Sequence, residues 1–182
     1  MNKENITDLD YFIDLQPKKE DFYGAVLEGL SLPQKTMSPK FFYDERGSKI
    51  FDKICDTPEY YVTRTEIALL NDIKKEIYFL VERGSTVVEY GCGSSVKIKA
   101  LLSALPAPSH YMAIDISKTH LIATAKEIAL NYANISVGAI CADFMEPIDW
   151  PEKAYAESIK RLAFFPGSTI GNQTPSEAAK FL

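Results

Sequence analysis

The stretch TVVEYGCGSSVKIKALLSAL, residues 86–105, decides the fold. TVVEYG is a short run of β-branched and aromatic residues, while VKIKALLSAL carries its apolar residues at helical spacing, with Gly91 and Gly93 at the junction. A strand, a glycine turn and a helix in that order make the first half of a βαβ unit. The alternation then continues to the end of the chain. HYMAIDIS (110–117) precedes KTHLIATAKEIALNYA (118–133), ISVGAICADF (135–144) precedes PEKAYAESIK (151–160), and RLAFFPG (161–167) follows. Four strands alternating with three helices, the strands apolar on both faces, predict an α/β fold: a parallel sheet with flanking helices.

Upstream of Gly84 the pattern differs. DFYGAVLEGL (21–30) and SKIFDKICDT (48–57) have apolar residues at helical spacing and are punctuated by Pro33, Pro39 and Pro58. We expect a helical N-terminal region over residues 1–84 and the sheet domain over 85–182. The 182 residues, 46 % hydrophobic and 25 % charged, suit one soluble globular domain with an appendage. The net charge of -5 comes without any Lys/Arg block, so no nucleic-acid partner is expected. The start, MNKENITDLDYF, has no basic region followed by an apolar core, and no apolar run approaches the roughly 18 residues of a membrane span. This reads as a cytoplasmic chain. Cys55, Cys92 and Cys141 are odd in number and widely separated, which suits reduced thiols. With His110 and His120 they give no metal-ligand spacing, so no metal is expected.

In open parallel sheets the ligand sits beyond the carboxyl ends of the strands, where strand order reverses. At the first such end, Gly91 and Gly93 let the backbone turn tightly and approach a ligand before helix N-terminal amides take over. Alone, this is equally a plain strand-to-helix turn. Asp115 closes the second strand, where an acidic residue meets ribose hydroxyls. Asp143 and Phe144 close the third, offering an acceptor for an exocyclic amine and an aromatic face for adenine. Each aspartate singly could cap the next helix. The three ends together describe an adenosine site. A dinucleotide fingerprint would place a third glycine at Val96, so a nicotinamide cofactor is the second reading.

The pattern E-x-G-x-G-x-S at residues 89–95 resembles the first motif of S-adenosylmethionine-dependent methyltransferases, and FFYDERGSKIFDKICDTPEYYVTRTE (41–66) is more specific. It resembles the signature block of the histidine-specific N-methyltransferase family, whose bacterial members make trimethylhistidine for ergothioneine synthesis. The resemblance runs on through VVEYGCGSSVK, AIDIS, ADF and FFPGSTIGN, covering roughly residues 30–182. Fungal relatives methylate the amine of a prenylated tryptophan, so the block specifies an amino-acid α-amine more closely than it specifies histidine.

The resemblance implies a Rossmann-like methyltransferase fold, S-adenosyl-L-methionine as cofactor, and methylation of the α-amine of an amino acid, L-histidine first. Gly91, Gly93, Asp115, Asp143 and Phe144 would hold the cofactor. Lys97 would reach its methionine carboxylate, or else is a solvated helix lysine. Asn172 matches the asparagine that binds the substrate's amino-acid moiety, and Tyr60 and Tyr43 match two substrate-pocket tyrosines. Asn172 could instead cap a helix beginning near Thr174, and either phenol could be a core aromatic. Arg64 and Glu66 are assigned structural ion-pair roles. No catalytic side chain is expected, because in-line methyl transfer needs chiefly an aligned, neutral amine.

Methyltransferases of this class complete their sheet with three more strands, and the family adds the element that recognises the imidazole. We therefore expect the C-terminal part of the fold to be missing and residues 1–182 alone to be inactive. RLAFF would then be an open sheet edge inviting self-association. Two other classes remain open: a nicotinamide-dependent oxidoreductase fragment and a catalytically silent nucleotide-binding module.

Overall fold

In the computed structural model, which describes residues 8–17, 21–148, 150 and 160–182, the four apolar runs are all strands. They are β2 (Thr86–Tyr90), β3 (His110–Asp115), β4 (Ser136–Cys141) and β5 (Arg161–Phe164). A fifth strand, β1 (Tyr11–Asp14), precedes them in the chain. The sheet order is β1-β4-β3-β2-β5 and every pairing is parallel. Strand order thus reverses at β2, the condition that opens a ligand crevice at the carboxyl end. The first and fourth predicted strands lie side by side, with Val87 opposite Leu162. As expected, β5 lies at one edge.

The period-two rule divides the sheet into two faces. Val87, Tyr111, Val137 and Ala139 point to one side, against Ile98 and Leu101 of α5 (Val96–Leu102) and Leu121, Ala125 and Ile128 of α6 (Lys118–Asn131). Val88, Met112, Ile114 and Ile140 point to the other, joined by Ile13, Tyr90 and Phe144. Central strands buried on both faces explain the continuous apolar runs in the sequence. The helix expected over residues 151–160 falls, but for Lys160, outside the described residues.

The helical reading of residues 1–84 holds for α1 (Phe22–Ser31), α2 (Glu45–Cys55), α3 (Val62–Asp72) and α4 (Lys74–Leu80), and fails at β1. A four-residue run such as YFID is too short for periodicity to separate strand from helix. Its pairing with β4 decides the matter. Asp10 anchors the start of β1 by accepting from the amide of Val137 at 2.7 Å and the hydroxyl of Ser136 at 2.8 Å. Tyr11 lays its ring over Gly138, where a Cβ would stand 2.0 Å from the ring carbon Cζ. Gly138→Ala should therefore expel the ring and lower stability by about 1–3 kcal/mol, the usual penalty of overpacking. A fall in the urea midpoint with an unchanged m-value is the expected result, and an unchanged midpoint would contradict this packing.

The signature block owes its shape to similar close approaches. Asp44 caps α2 by accepting from the Gly47 amide at 2.7 Å. A side chain at Gly47 would stand 1.8 Å from the Phe42 carbonyl oxygen, so this tight entry to α2 accepts only glycine. The turn after α2 is pinned by Arg64, whose guanidinium donates to the carbonyls of Thr57 at 2.8 Å and Pro58 at 2.6 Å. Helix α3 in turn packs against α5, the helix that follows the glycine loop. Among the described residues no helix is long and apolar enough to cross a membrane, and all three cysteines are free thiols.

Candidate functional site

The carboxyl ends of β2, β3 and β4 open into a cavity of about 640 Å³, within the roughly 300–1,000 Å³ usual for small-molecule sites. The sheet supplies its floor. The other wall comes from the N-terminal region, including the 3-10 turn Pro39–Phe42 and α2. Eight of the nine predicted site residues line it: Gly91, Gly93, Lys97, Asp115, Asp143, Phe144, Tyr43 and Asn172.

The glycine loop is built for backbone approach. Gly91 and Gly93 take φ of +73° and +44°, conformations that favour glycine, and a Cβ on Gly93 would meet nothing nearer than 4.0 Å. The loop is held in place by Gly91 N donating to Ile114 O at 2.8 Å and Thr124 Oγ1 donating to Gly93 O at 2.7 Å. Between the glycines, Cys92 is buried 3.8 Å from Asp115 Oδ2. Burial, and then the Asp115 carboxylate, push its thiol well up, so Cys92 is a packing residue and not a nucleophile.

The two aspartates combine the capping and binding readings. Asp115 Oδ1 accepts from the Ser117 amide at 2.8 Å at the head of α6, and the Gly93 amide also donates to this carboxylate. Burial raises the Asp115 carboxyl, and these amides pull it back. Asp143 Oδ1 accepts from the Met145 amide at 3.0 Å, while Oδ2 lies 3.3 Å from Lys40 Nζ. Each carboxylate thus uses one oxygen to shape its own loop. Phe144 belongs to an aromatic cluster with Tyr90, Phe165 and Phe181, its ring 5.5 Å from Phe165 and 5.9 Å from Phe181.

Lys97 is not a solvated lysine. Its side chain is 11 % exposed and its ammonium lies 2.9 Å from Glu66 Oε2. Glu66 thus forms an ion pair with Lys97, whereas Arg64, also expected in an ion pair, donates to the backbone carbonyls of Thr57 and Pro58. Asn172 is likewise freed from the capping reading. Thr174 is the N-cap of α7 (Pro175–Phe181), closing a capping box in which Thr174 N donates to Glu177 Oε2 at 2.8 Å. Asn172 instead ends the 3-10 turn Thr169–Asn172 at the cavity wall.

The two tyrosines stand at different depths. Tyr43 lines the cavity, and burial together with the Asp115 carboxylate raises its phenol. Tyr60 is absent from the lining; its ring packs edge-on to Phe51 at 5.7 Å, and Phe51 packs on Tyr43 at 6.0 Å. It supports the wall from behind. Sequence reading also missed Lys40 and His120, which line the cavity. Lys40 has no local signal, because its partner Asp143 is 103 residues away.

Behind the floor, Glu89 is wholly buried. Tyr111 donates to its Oε2 at 2.5 Å, and Oε1 has no partner among the described residues. Burial pushes this carboxyl well above the usual range, against the opposing bond from Tyr111. The folded chain therefore keeps a proton that the unfolded chain gives up near pH ~4.3. The stability associated with it is complete below that pH and is lost as pH rises through the higher folded value. Glu89→Gln keeps an acceptor for Tyr111 and removes the titration. The variant should be more stable than the parent at pH 8, with the difference vanishing toward pH 4. Parallel stability–pH curves for the two proteins would contradict the assignment.

The donor set fits an S-adenosyl ligand on this structure's own geometry. An open glycine cradle, carboxylates at the ends of β3 and β4, an aromatic face and a buried ammonium meet in one cavity. Residues 22–182 match the family model described as histidine-specific methyltransferase, SAM-dependent. The chain is 38 % identical over 160 residues to the histidine N-alpha-methyltransferase of Mycobacterium tuberculosis, covering 86 % of this chain and 48 % of that protein. It is 29 % identical to ergothioneine biosynthesis protein 1 of Schizosaccharomyces pombe, over 84 % of this chain and 21 % of that one. Against a 4-dimethylallyltryptophan N-methyltransferase of Claviceps purpurea the identity is 28 %, over 86 % and 47 %. The chain spans about half the length of the bacterial relatives it matches.

Proposed function

Because the chain belongs to the histidine-specific, S-adenosylmethionine-dependent methyltransferase family, we propose that it supplies the cofactor site and part of the amino-acid site of an α-amine N-methyltransferase. The substrate we assign is L-histidine and the product N-alpha-trimethylhistidine, on the route to ergothioneine. The observation that carries this reading is the single cavity shared by Asp115, Asp143, Phe144 and Lys97 on one side and Tyr43 and Asn172 on the other.

When bound, S-adenosylmethionine would supply a methyl group on a sulfonium: an amine lone pair would attack the methyl carbon in line, and the S–CH3 bond would break to leave the neutral thioether S-adenosylhomocysteine. The chain's residues have the matching tasks. Asp115 accepts from ribose hydroxyls, Asp143 accepts from the adenine amine, and Lys97 meets the methionine carboxylate. The Asn172 amide offers an acceptor to the substrate amine and donors to its carboxylate. Tyr43, with its phenol raised, stays protonated and offers a hydroxyl. An α-amine, with a reference pKa near ~7.7–8.0 in peptides and higher in a free amino acid, is mostly protonated at neutral pH, and the apolar wall of Phe51 and Phe144 favours its neutral form. No covalent enzyme intermediate is required; the ammonium formed by each of the first two transfers loses a proton to solvent before the next. Residues 1–84 would shape the substrate wall and residues 85–182 the cofactor site, in a cytoplasmic protein with reduced cysteines.

The test is transfer of radiolabelled methyl groups to histidine by a protein of the relatives' full length. Labelled trimethylhistidine is the expected product, and its absence would overturn the assignment. Residues 1–182 alone should show no transfer. Their β5, the outermost strand on one side of the described sheet, should promote self-association. Size-exclusion chromatography with light scattering should find species above 20.4 kDa. A clean monomer that methylates histidine would contradict both statements.

A further inference from the structure

We propose that Glu66 is a positioning residue that uses one carboxylate to fix both Lys97, at the cofactor end of the cavity, and the loop that carries Asn172. Glu66 is on α3 and is absent from the cavity lining, whereas both of its partners are on it. Its Oε2 lies 2.9 Å from Lys97 Nζ. The Gly167 amide donates to the same carboxylate, at 2.9 Å from Oε1 and 3.1 Å from Oε2. The three groups are tightly fitted. Gly167 has φ +76°, and a Cβ there would stand 2.9 Å from the Lys97 ammonium.

Each contact has a separate consequence. A lysine ammonium on a four-carbon stem, partly buried and without its counter-ion, would turn toward water. Glu66 engages one of its three donors and leaves the others for an anion in the cavity. The bond to Gly167 fixes the peptide that opens the loop, five residues before Asn172. Helix α3 thereby ties the signature block to two segments that lie apart in the sequence, Lys97 and Gly167. The Lys97 half of the proposal rests on the reading that an S-adenosyl ligand occupies the cavity; the Gly167 half does not.

The experiment compares the 182-residue chain with Glu66→Ala and Glu66→Gln. Amide hydrogen exchange at Gly167 is measured without ligand, and calorimetry uses S-adenosylhomocysteine and 5′-methylthioadenosine, which lacks the amino-acid end. In Glu66→Ala, Gly167 should exchange about tenfold faster or more, as expected for a lost hydrogen bond to a charged acceptor. S-adenosylhomocysteine should bind about tenfold more weakly, with 5′-methylthioadenosine changed by less than about threefold. Glu66→Gln keeps an acceptor for Gly167 but not the charge that holds Lys97. It should restore slow exchange at Gly167 and still discriminate poorly between the two nucleosides. Unchanged exchange in Glu66→Ala, equal weakening of both nucleosides, or tighter S-adenosylhomocysteine binding in either variant would overturn the proposal. If the parent chain binds neither nucleoside, the cofactor reading fails and takes the Lys97 half with it. The exchange measurement still decides the loop half.

Discussion

Asp115→Ala should weaken binding of S-adenosylhomocysteine by about 1–3 kcal/mol, roughly 5- to 150-fold, the range for losing a hydrogen bond with a charged partner. The effect should be large because the amides of Ser117 and Gly93 already hold the carboxylate in position, so the ligand loses no energy in ordering it. Asp115→Asn, which keeps one acceptor oxygen, should lose less. Asp143→Ala should cost the ligand an amount in the same range. Its effect on stability should be small, because its partner Lys40 is 30 % exposed and such a pair is worth about 0–1 kcal/mol. Urea unfolding of each variant separates lost binding from lost folding. Undiminished affinity in both alanine variants would remove the adenosine assignment.

The second large effect belongs to the amino-acid side. In a protein of the relatives' full length, Asn172→Ala should raise the histidine dissociation constant by roughly 10- to 150-fold, about 1.5–3 kcal/mol for hydrogen bonds to a zwitterion. Cofactor affinity should change by less than about twofold, since distant contacts add independently. The tyrosines should rank by depth. Tyr43→Phe removes a hydroxyl from the cavity lining, whereas Tyr60→Phe removes one from behind Phe51. Tyr43→Phe should therefore be the more damaging, with Tyr60→Phe costing under about threefold because the aromatic packing survives. If Asn172→Ala lost cofactor affinity and kept histidine affinity, the division of the cavity drawn above would be reversed.

What could be read from the sequence follows the range of the interactions involved. Strands β2 to β4 announce themselves because a central strand buried on both faces reads as a near-continuous apolar run, as in TVVEY or SVGAIC. Asp115 and Asp143 were legible because a strand's end is visible in the sequence and the sheet's topology says that ends matter. Strand β1 was not, since YFID is a strand only through its pairing with β4 and the seat that Gly138 gives Tyr11. Lys97 stayed ambiguous for a related reason. Its place in the first turn of α5 is local, but its partner Glu66 arrives from another helix. Glu66 and Gly167 are 101 residues apart, so no periodicity or spacing could pair them. Tyr60 shows the converse limit. A motif match identifies a residue the pocket depends on without saying whether it touches the ligand.

Our assignment places an S-adenosyl nucleoside at the carboxyl ends of β2, β3 and β4. Its most direct test is calorimetric titration of residues 1–182 with S-adenosylhomocysteine, run beside NAD under the same conditions. The glycine cradle, Asp115 and Asp143 predict saturable binding of S-adenosylhomocysteine and none of NAD, because Val96 stands where a dinucleotide site needs its third glycine. Binding of NAD in preference, or of neither ligand, would contradict the account.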